Sequence, residues 1–175
     1  MTGRRIEVVP YDAAWPRIFD EEREKILDRL SIEVLGIHHI GSTAVEGLEA
    51  KPVIDILIEV ADIQTLDNQD AYFESLGYEC KGEYGIAGRR YYQKGGSNRT
   101  HHIHAFGFGS DNAIRHLAFK EYLKAHPSVA QDYGALKMEV AASCNDDIGV
   151  YCNGKADFVE KHEKLALTWW ARSRS

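Results

Sequence analysis

Two apolar stretches separated by a short turn limit most strongly what this chain can fold into. Residues 34–40 and 53–60 each have the length of a buried β-strand, and both consist mainly of aliphatic residues. The segment between them opens with Gly41, Ser42 and Thr43, small or hydroxyl-bearing residues that are typical of a turn. The pattern predicts a strand, a turn with a short helix, and a second strand that neighbours the first.

Asp55 is a carboxylate inside the otherwise aliphatic second strand. Because burying an unpaired charge costs several kcal/mol, Asp55 needs either a partner or a ligand. One interpretation is that Asp55 binds a cation while the turn at 41–43 offers N–H groups and hydroxyls to a phosphate. The other is that Asp55 pairs with Lys51 or Arg90, or caps a neighbouring turn. The first interpretation makes Asp55 the candidate catalytic residue and the three turn residues candidate ligand-binding residues.

Composition excludes several classes of protein. The chain has 175 residues, 44% of them hydrophobic, and a net charge of −6, which predicts one domain spanning residues 1–175 without disulfide or metal staples. The acidic balance disfavours a protein that covers extended nucleic acid with basic residues. No apolar run approaches the roughly 18 residues of a membrane span. The N-terminus also lacks the apolar region of a secretory signal, so we expect a cytoplasmic protein with no membrane partner.

The remaining pattern predicts an early group of strands and a late group of helices. A short strand is expected at 6–10, a first helix at about 14–31, and a second helix near 63–76 that ends at a glycine. A hairpin is expected to close near 94–98, and three helices are expected after Ser110. We therefore predict an α+β, or mixed α/β, fold with a mixed sheet flanked by helices and a helical C-terminal block.

Two histidines on a later predicted strand extend the candidate site. His102 and His104 are two residues apart, so their side chains would leave one face of the strand about 6.5 to 7 Å apart. If that strand neighbours the one carrying Asp55, the three side chains would bind a divalent metal. Imidazole and carboxylate ligands suit zinc or manganese better than magnesium. The alternative is that one or both histidines are hydrogen-bonded members of a half-buried strand.

Four further residues are candidate ligand-binding residues. Lys51 precedes the acidic strand, where it would reach a triphosphate or neutralise Asp55. Arg90 lies in a short basic segment that would bind one small anionic group. Near the last predicted helix, Tyr151 and Lys155 would hold a base and a phosphate, respectively. The alternatives are that the basic segment is a solvated hairpin and that Lys155 is a solvated residue in the first turn of a helix.

Beyond these local patterns, the sequence resembles a known family. The Gly-Ser turn followed by an acid in an aliphatic strand is similar to the core of the polymerase-β-like nucleotidyltransferases. More specifically, residues 5–165 resemble the GrpB family, whose signature is similar to His39-Ile40-Gly41-Ser42-Thr43-Ala44-Val45, Gly47-Leu48, Ala50-Lys51-Pro52 and Ile54-Asp55-Ile56. The resemblance implies a nucleotidyltransferase-like fold in which Gly41 and Ser42 hold nucleotide phosphates and Asp55 is the first metal-binding carboxylate.

The sequence departs from that superfamily at the second carboxylate. Its usual position corresponds to Leu57, and Glu46 stands where the family usually has proline. Two-metal phosphoryl transfer needs several carboxylates around the pair of cations, so standard two-metal catalysis is not expected. Three functions follow as alternatives. One is metal-dependent nucleotidyl or phosphoryl transfer on a nucleotide or other phosphate-containing small molecule, and the second is a non-catalytic module that binds such a ligand. The third is a metal-dependent hydrolase built on the strand that carries His102 and His104.

Overall fold

The computed structural model describes residues 6–174 of the chain, and within that range it contains five strands and five α-helices. The strands are β1 (Gly36–Ile40), β2 (Ile54–Val60), β3 (Tyr78–Cys80), β4 (Arg90–Lys94) and β5 (His101–Gly107). The helices are α1 (Trp15–Asp28), α2 (Asp70–Ser75), α3 (Asp111–Ala125), α4 (Pro127–Ser143) and α5 (Ile148–Ser173). Short 3₁₀ segments cover Ser42–Ala44 and Ile63–Gln69.

The strands form one mixed sheet in the order β1-β2-β5-β4-β3. The central pair, β2 and β5, is parallel, and the other three pairs are antiparallel. The predicted neighbouring pair around the Gly-Ser-Thr turn is therefore β1 and β2. The predicted mixed fold, with strands early and helices late, is confirmed.

The two faces of the sheet differ because successive side chains of a strand point to opposite sides. On one face, Ile54, Ile56 and Ile58 of β2 belong to the largest apolar cluster, which includes Phe19 of α1 and Phe73 of α2. Ile56 and Ile58 are completely buried. This face supplies the main core of the described chain.

The other face of β2 carries Asp55, Leu57 and Glu59, and α3 covers its middle. Leu57 is completely buried and forms a small apolar cluster with Ala113 of α3 and neighbouring apolar residues. The helices α4 and α5 pack beside α3 in a further cluster centred on aromatic residues. Asp55 lies nearer the start of β2 than this apolar cluster, so it borders a polar cavity between the sheet and the late helices.

Several predicted element boundaries need correction. In place of a strand at 6–10, a single bridge joins Val9 to Ala50. The predicted helix at 63–76 is a 3₁₀ segment followed by the short α2. The last helix starts earlier than expected because Asp147 caps it, accepting hydrogen bonds from the N–H groups of Gly149 and Val150. Within the described residues, no helix is long and apolar enough to cross a membrane.

Candidate functional site

The parallel pairing of β2 with β5 brings Asp55 and the two histidines together. Asp55 is directly opposite His102, and His104 lies two residues further along the same face. The Oδ1 atom of Asp55 is 3.4 Å from Nδ1 of His102 and 3.3 Å from Nε2 of His104. Burial alone would raise the pKa of Asp55, but hydrogen bonds from both imidazoles outweigh it and hold the pKa far below its ordinary value. Asp55 is therefore ionised at neutral pH.

Gly41 allows the turn to approach this carboxylate closely. Its φ of +75° lies in the left-handed region that favours glycine. A Cβ atom at this position would lie only 2.8 Å from Oδ2 of Asp55. A larger residue would therefore strain the backbone and also displace the carboxylate.

The two hydroxyl residues of the turn have different surroundings. Thr43 is buried, and its Oγ1 atom is 2.9 Å from Nε2 of His39. The ring of His39 stacks on Phe19, and burial lowers the pKa of this histidine to about 4, so it is neutral at pH 7. Thr43 thus connects the turn to the core through His39. Both hydroxyl residues, Ser42 and Thr43, nevertheless line the cavity next to Asp55.

This cavity, which we call the lysine pocket, has a volume of about 130 Å³. Its lining includes Ser42, Lys51, Asp55, His102, Lys137 and Lys155. The ring of Tyr151 lies between two of the lysines, with Nζ of Lys51 at 5.2 Å and Nζ of Lys155 at 5.1 Å from its centroid. The predicted residues Ser42, Thr43, Lys51, Tyr151 and Lys155 are therefore brought to one cavity with Asp55 and His102.

Lys137 is the residue of this pocket to which the sequence analysis gave no role. It is only 2% exposed, and its Nζ atom has no hydrogen-bond partner within the described residues. The ammonium lies 4.5 Å from the ring centroid of Tyr133, one helical turn earlier on α4. Burial, with a contribution from Lys155, lowers the pKa of Lys137 to about 7. The available signal in the sequence was a lysine four residues after Tyr133, on the same face of the helix.

Arg90 does not belong to the pocket, contrary to its expected place beside Asp55. Alternation along β4 directs Arg90 to the opposite face of the sheet, where its Nε and Nη2 atoms donate to the two carboxylate oxygens of Asp67 at 2.7 and 3.1 Å. The preceding residue, Arg89, takes the position near the histidines. Its Nη1 atom lies 3.4 Å from Nδ1 of His104.

The donor atoms around Asp55 do not form a ready metal centre. Within residues 6–174, no group of three or more His, Cys, Asp or Glu side chains is arranged to hold a metal ion. One oxygen of Asp55 already hydrogen-bonds both imidazoles, so a cation at that oxygen would have to replace those bonds. The chemistry of the donor set suits a divalent metal, but its geometry does not, and the metal at Asp55, His102 and His104 stays a prediction.

Together the fold and the pocket define a mixed α/β protein with a lysine-lined cavity at one end of its central parallel strands. The sequence profile described as GrpB protein matches residues 5–165. The chain belongs to the GrpB family. The crystal structure of conserved protein GrpB from Enterococcus faecalis is 42% identical, with a TM-score of 0.89, and the match covers 94% of this chain and 99% of that one.

Two curated proteins illustrate the range of its relatives. UPF0157 protein YqkA of Bacillus subtilis is 44% identical over 166 residues, which is 95% of this chain and 48% of that protein. A dephospho-CoA kinase of Mycobacterium tuberculosis is 25% identical in an alignment that covers 93% of this chain and 46% of that protein. The chain therefore spans about half the length of each of these relatives.

Proposed function

We propose that this chain binds the phosphate end of a nucleotide, or of another phosphate-containing small molecule, in the lysine pocket. The observation that carries the proposal is the buried ammonium of Lys137, whose Nζ atom has no hydrogen-bond partner within residues 6–174. Buried polar groups in folded proteins are nearly always paired, because an unpaired one costs free energy. An anion in the pocket would supply the absent partner.

The other lysines explain why we propose a phosphate rather than a singly charged anion. Lys51 and Lys155 line the same cavity, and Ser42 adds a hydroxyl. Asp55 contributes one negative charge, so the pocket can neutralise more than one charge of a ligand. Hydrogen bonds between ammonium groups and phosphate oxygens are charge-assisted and are stronger than neutral ones.

The size of the pocket indicates which part of a ligand it would hold. Pockets that enclose a whole drug-sized molecule have volumes of about 300 to 1,000 Å³. The lysine pocket, at about 130 Å³, is smaller. The phosphate would therefore lie inside and the remainder of the compound outside. The name of the mycobacterial relative adds dephospho-CoA to ATP as a sensible probe.

Transfer of a nucleotidyl or phosphoryl group is the enzymatic form of this proposal. Asp55 would be the catalytic carboxylate, and it would hold a divalent metal with His102 or His104 only if the metal replaced the contacts between the imidazoles and Oδ1. Leu57 favours the alternative, a binding module without turnover, because it replaces the second carboxylate. Metal analysis of the purified protein, together with product detection after incubation with ATP and Mg²⁺, Mn²⁺ or Zn²⁺, separates the two forms.

The binding proposal is tested with a matched pair of lysine variants. Lys137→Met removes the buried ammonium but keeps the length of the side chain. Lys164→Met is the control, because Lys164 is exposed on α5 and pairs with Glu160. Isothermal titration with pyrophosphate, ATP and dephospho-CoA should show binding by the wild type and the control, and at least about tenfold weaker binding by Lys137→Met. Equal affinities for all three proteins would refute the proposal.

A further inference from the structure

The two imidazoles at Asp55 have different surroundings, although their places in the sequence suggest equal roles. His102 lines the lysine pocket, and its Nε2 atom is buried with no hydrogen-bond partner in the described part of the chain. His104 instead has Nη1 of Arg89 at 3.4 Å from its Nδ1 atom, and its ring centroid is 5.1 Å from that of His116. One imidazole therefore faces the cavity, and the other faces protein.

For the neutral form of each ring, the hydrogen-bond chain determines which nitrogen carries the proton. A guanidinium has only N–H donors, so Nδ1 of His104 accepts from Arg89 and Nε2 of His104 carries the proton. That proton is donated to Oδ1 of Asp55, 3.3 Å away. Because an ionised carboxylate only accepts, Nδ1 of His102, 3.4 Å from the same oxygen, is also protonated. The remaining nitrogen, Nε2 of His102, keeps its electron pair and is an acceptor.

Arg89 is held firmly in place, so it fixes the donor-to-acceptor direction of the hydrogen bonds that run through His104 to Asp55. It is only 7% exposed, and its guanidinium donates to the backbone carbonyl groups of Glu83 at 3.1 Å and Tyr84 at 2.8 Å. The guanidinium also lies 4.8 Å from the ring centroid of Tyr91. Its hydrogen bonds within residues 6–174 thus go to two backbone carbonyl groups and to Nδ1 of His104. Arg89 is therefore a fixed donor beside His104.

No neighbouring side chain takes the acceptor atom of His102. Gln93 lies directly opposite His102 across β4 and β5, but it donates its amide to Glu79 at 2.8 Å. The electron pair of Nε2 is therefore available to a group that enters the lysine pocket. A hydroxyl is the simplest group that can donate to it while a phosphate occupies the lysines.

We propose that Nε2 of His102 accepts a hydrogen bond from a hydroxyl group of the bound compound. The preferred ligands are then phosphate compounds with a hydroxyl close to the phosphate, the class that includes sugar phosphates and the ribose phosphates of nucleotides. This inference rests on the proposed function, since the lysines hold the phosphate in both. His102 is a ligand-binding and specificity-determining residue, whereas His104 and Arg89 are positioning residues.

Two probes with the same carbon skeleton test this specificity. Glycerol 3-phosphate carries hydroxyls, and propyl phosphate does not. In titration calorimetry the wild type should bind glycerol 3-phosphate about three- to tenfold more tightly, as one additional hydrogen bond allows. His102→Phe should lose this preference. His102→Gln, whose amide oxygen can accept a hydrogen bond, should restore part of the preference.

The assignment of protons is tested independently of any ligand. Long-range ¹H–¹⁵N NMR spectra distinguish the two neutral forms of histidine. We expect Nδ1–H on His102 and Nε2–H on His104 in the wild type, and a loss of the single form at His104 in Arg89→Met. A spectrum with Nε2–H on His102 would overturn the inference, because this atom would then be a donor.

The outcomes separate the two proposals. If the wild type binds inorganic phosphate and both probes but shows no preference for glycerol 3-phosphate, the role of His102 is refuted and the phosphate site stands. If inorganic phosphate and both probes fail to bind, the proposed function is refuted and this inference with it. An unchanged preference in His102→Phe would also refute the role of His102.

Discussion

Glu22 and Lys137 are both buried charged residues, but they lie on opposite faces of the sheet and have opposite surroundings. Glu22, on α1, is 3% exposed and accepts hydrogen bonds from Tyr78 and from Nζ of Lys94, the latter at 3.0 Å. Lys137, on α4, is 2% exposed, and its Nζ atom has no hydrogen-bond partner within residues 6–174. The carboxylate of Glu22 has its hydrogen-bond partners within the folded chain, whereas the ammonium of Lys137 would need an additional molecule as a partner.

The pKa values of the two residues reflect this difference. Burial alone would raise the pKa of Glu22, but the hydrogen bonds from Tyr78 and Lys94 lower it below its ordinary value. For Lys137, burial lowers the pKa to about 7, and the positive charge of Lys155 lowers it further rather than compensating. The protein therefore favours the charge on Glu22 and disfavours the charge on Lys137.

The largest effect is expected from Glu22→Ala. The substitution leaves Tyr78 and Lys94 without their shared acceptor, so we expect a loss of about 2 to 4 kcal/mol in the free energy of unfolding. Urea denaturation measures this loss. Glu24→Ala, at an exposed position of the same helix, is the control and should change stability by less than about 0.5 kcal/mol. Similar losses for both variants would contradict the structural role of Glu22.

Lys137→Met should change the free energy of unfolding in the opposite direction. Without ligand it removes a buried charge that has no hydrogen-bond partner, so we expect the variant to be more stable than the wild type by about 1 to 3 kcal/mol at pH 7. Urea denaturation in buffer free of phosphate measures the difference. A destabilised variant would show that the ammonium of Lys137 stabilises the fold by itself.

The difference in stability between the wild type and Lys137→Met should depend on pH, and the direction of this dependence follows from the pKa of Lys137. The pKa of Lys137 is about 7 in the folded chain and 10.5 as its ordinary value, so between these pH values the unfolded chain binds more protons. The stability of the wild type therefore rises with pH in this window, relative to Lys137→Met. The advantage of the variant should be fully present below pH 7 and shrink towards pH 10. A difference that stays constant would place the pKa of Lys137 outside this window.

Gly41→Ala, in the turn beside Asp55, is expected to have an intermediate effect on the free energy of unfolding. The positive φ makes alanine unfavourable by about 1 to 2 kcal/mol, and its Cβ atom would push against Asp55. Gly47→Ala is the matched control, because Gly47 also has a positive φ, of +84°, but a Cβ atom there meets nothing within 4 Å. Both variants should lose stability in urea denaturation. Only Gly41→Ala should also weaken the binding of pyrophosphate. Equal affinities of the two variants for pyrophosphate would show that the turn at Gly41 does not contribute to binding in the lysine pocket.

Arg90→Ala should have the smallest effect. Its partner Asp67 is more than half exposed, and ion pairs in such surroundings contribute at most about 1 kcal/mol to stability. The affinity for pyrophosphate should stay that of the wild type, because Arg90 lies on the face opposite the lysine pocket. A weaker affinity of Arg90→Ala for pyrophosphate, measured by calorimetry, would show that Arg90 contributes to the binding site, as the sequence predicted.

The sequence was most informative where a local pattern fixes the geometry. Strand alternation places His102 and His104 on one face, and the acid in an aliphatic strand identifies Asp55. Arg90 was misplaced because its own strand, β4, has Tyr91 and Tyr92 on opposite faces, so the apolar pattern does not define which side chains face the site. Lys137 reaches the pocket only because α4 packs beside the sheet, and such long-range packing is not encoded in local spacing.

Leu57 has an evolutionary consequence. It is completely buried beneath α3, at the position where a second metal-binding carboxylate would stand. A single mutation to aspartate there would bury a charge among apolar side chains, and the resulting protein would be poorly folded before it gained any activity. A carboxylate at position 57 would therefore require α3 to repack first, whereas the polar residues around Asp55 can change without disturbing this apolar cluster.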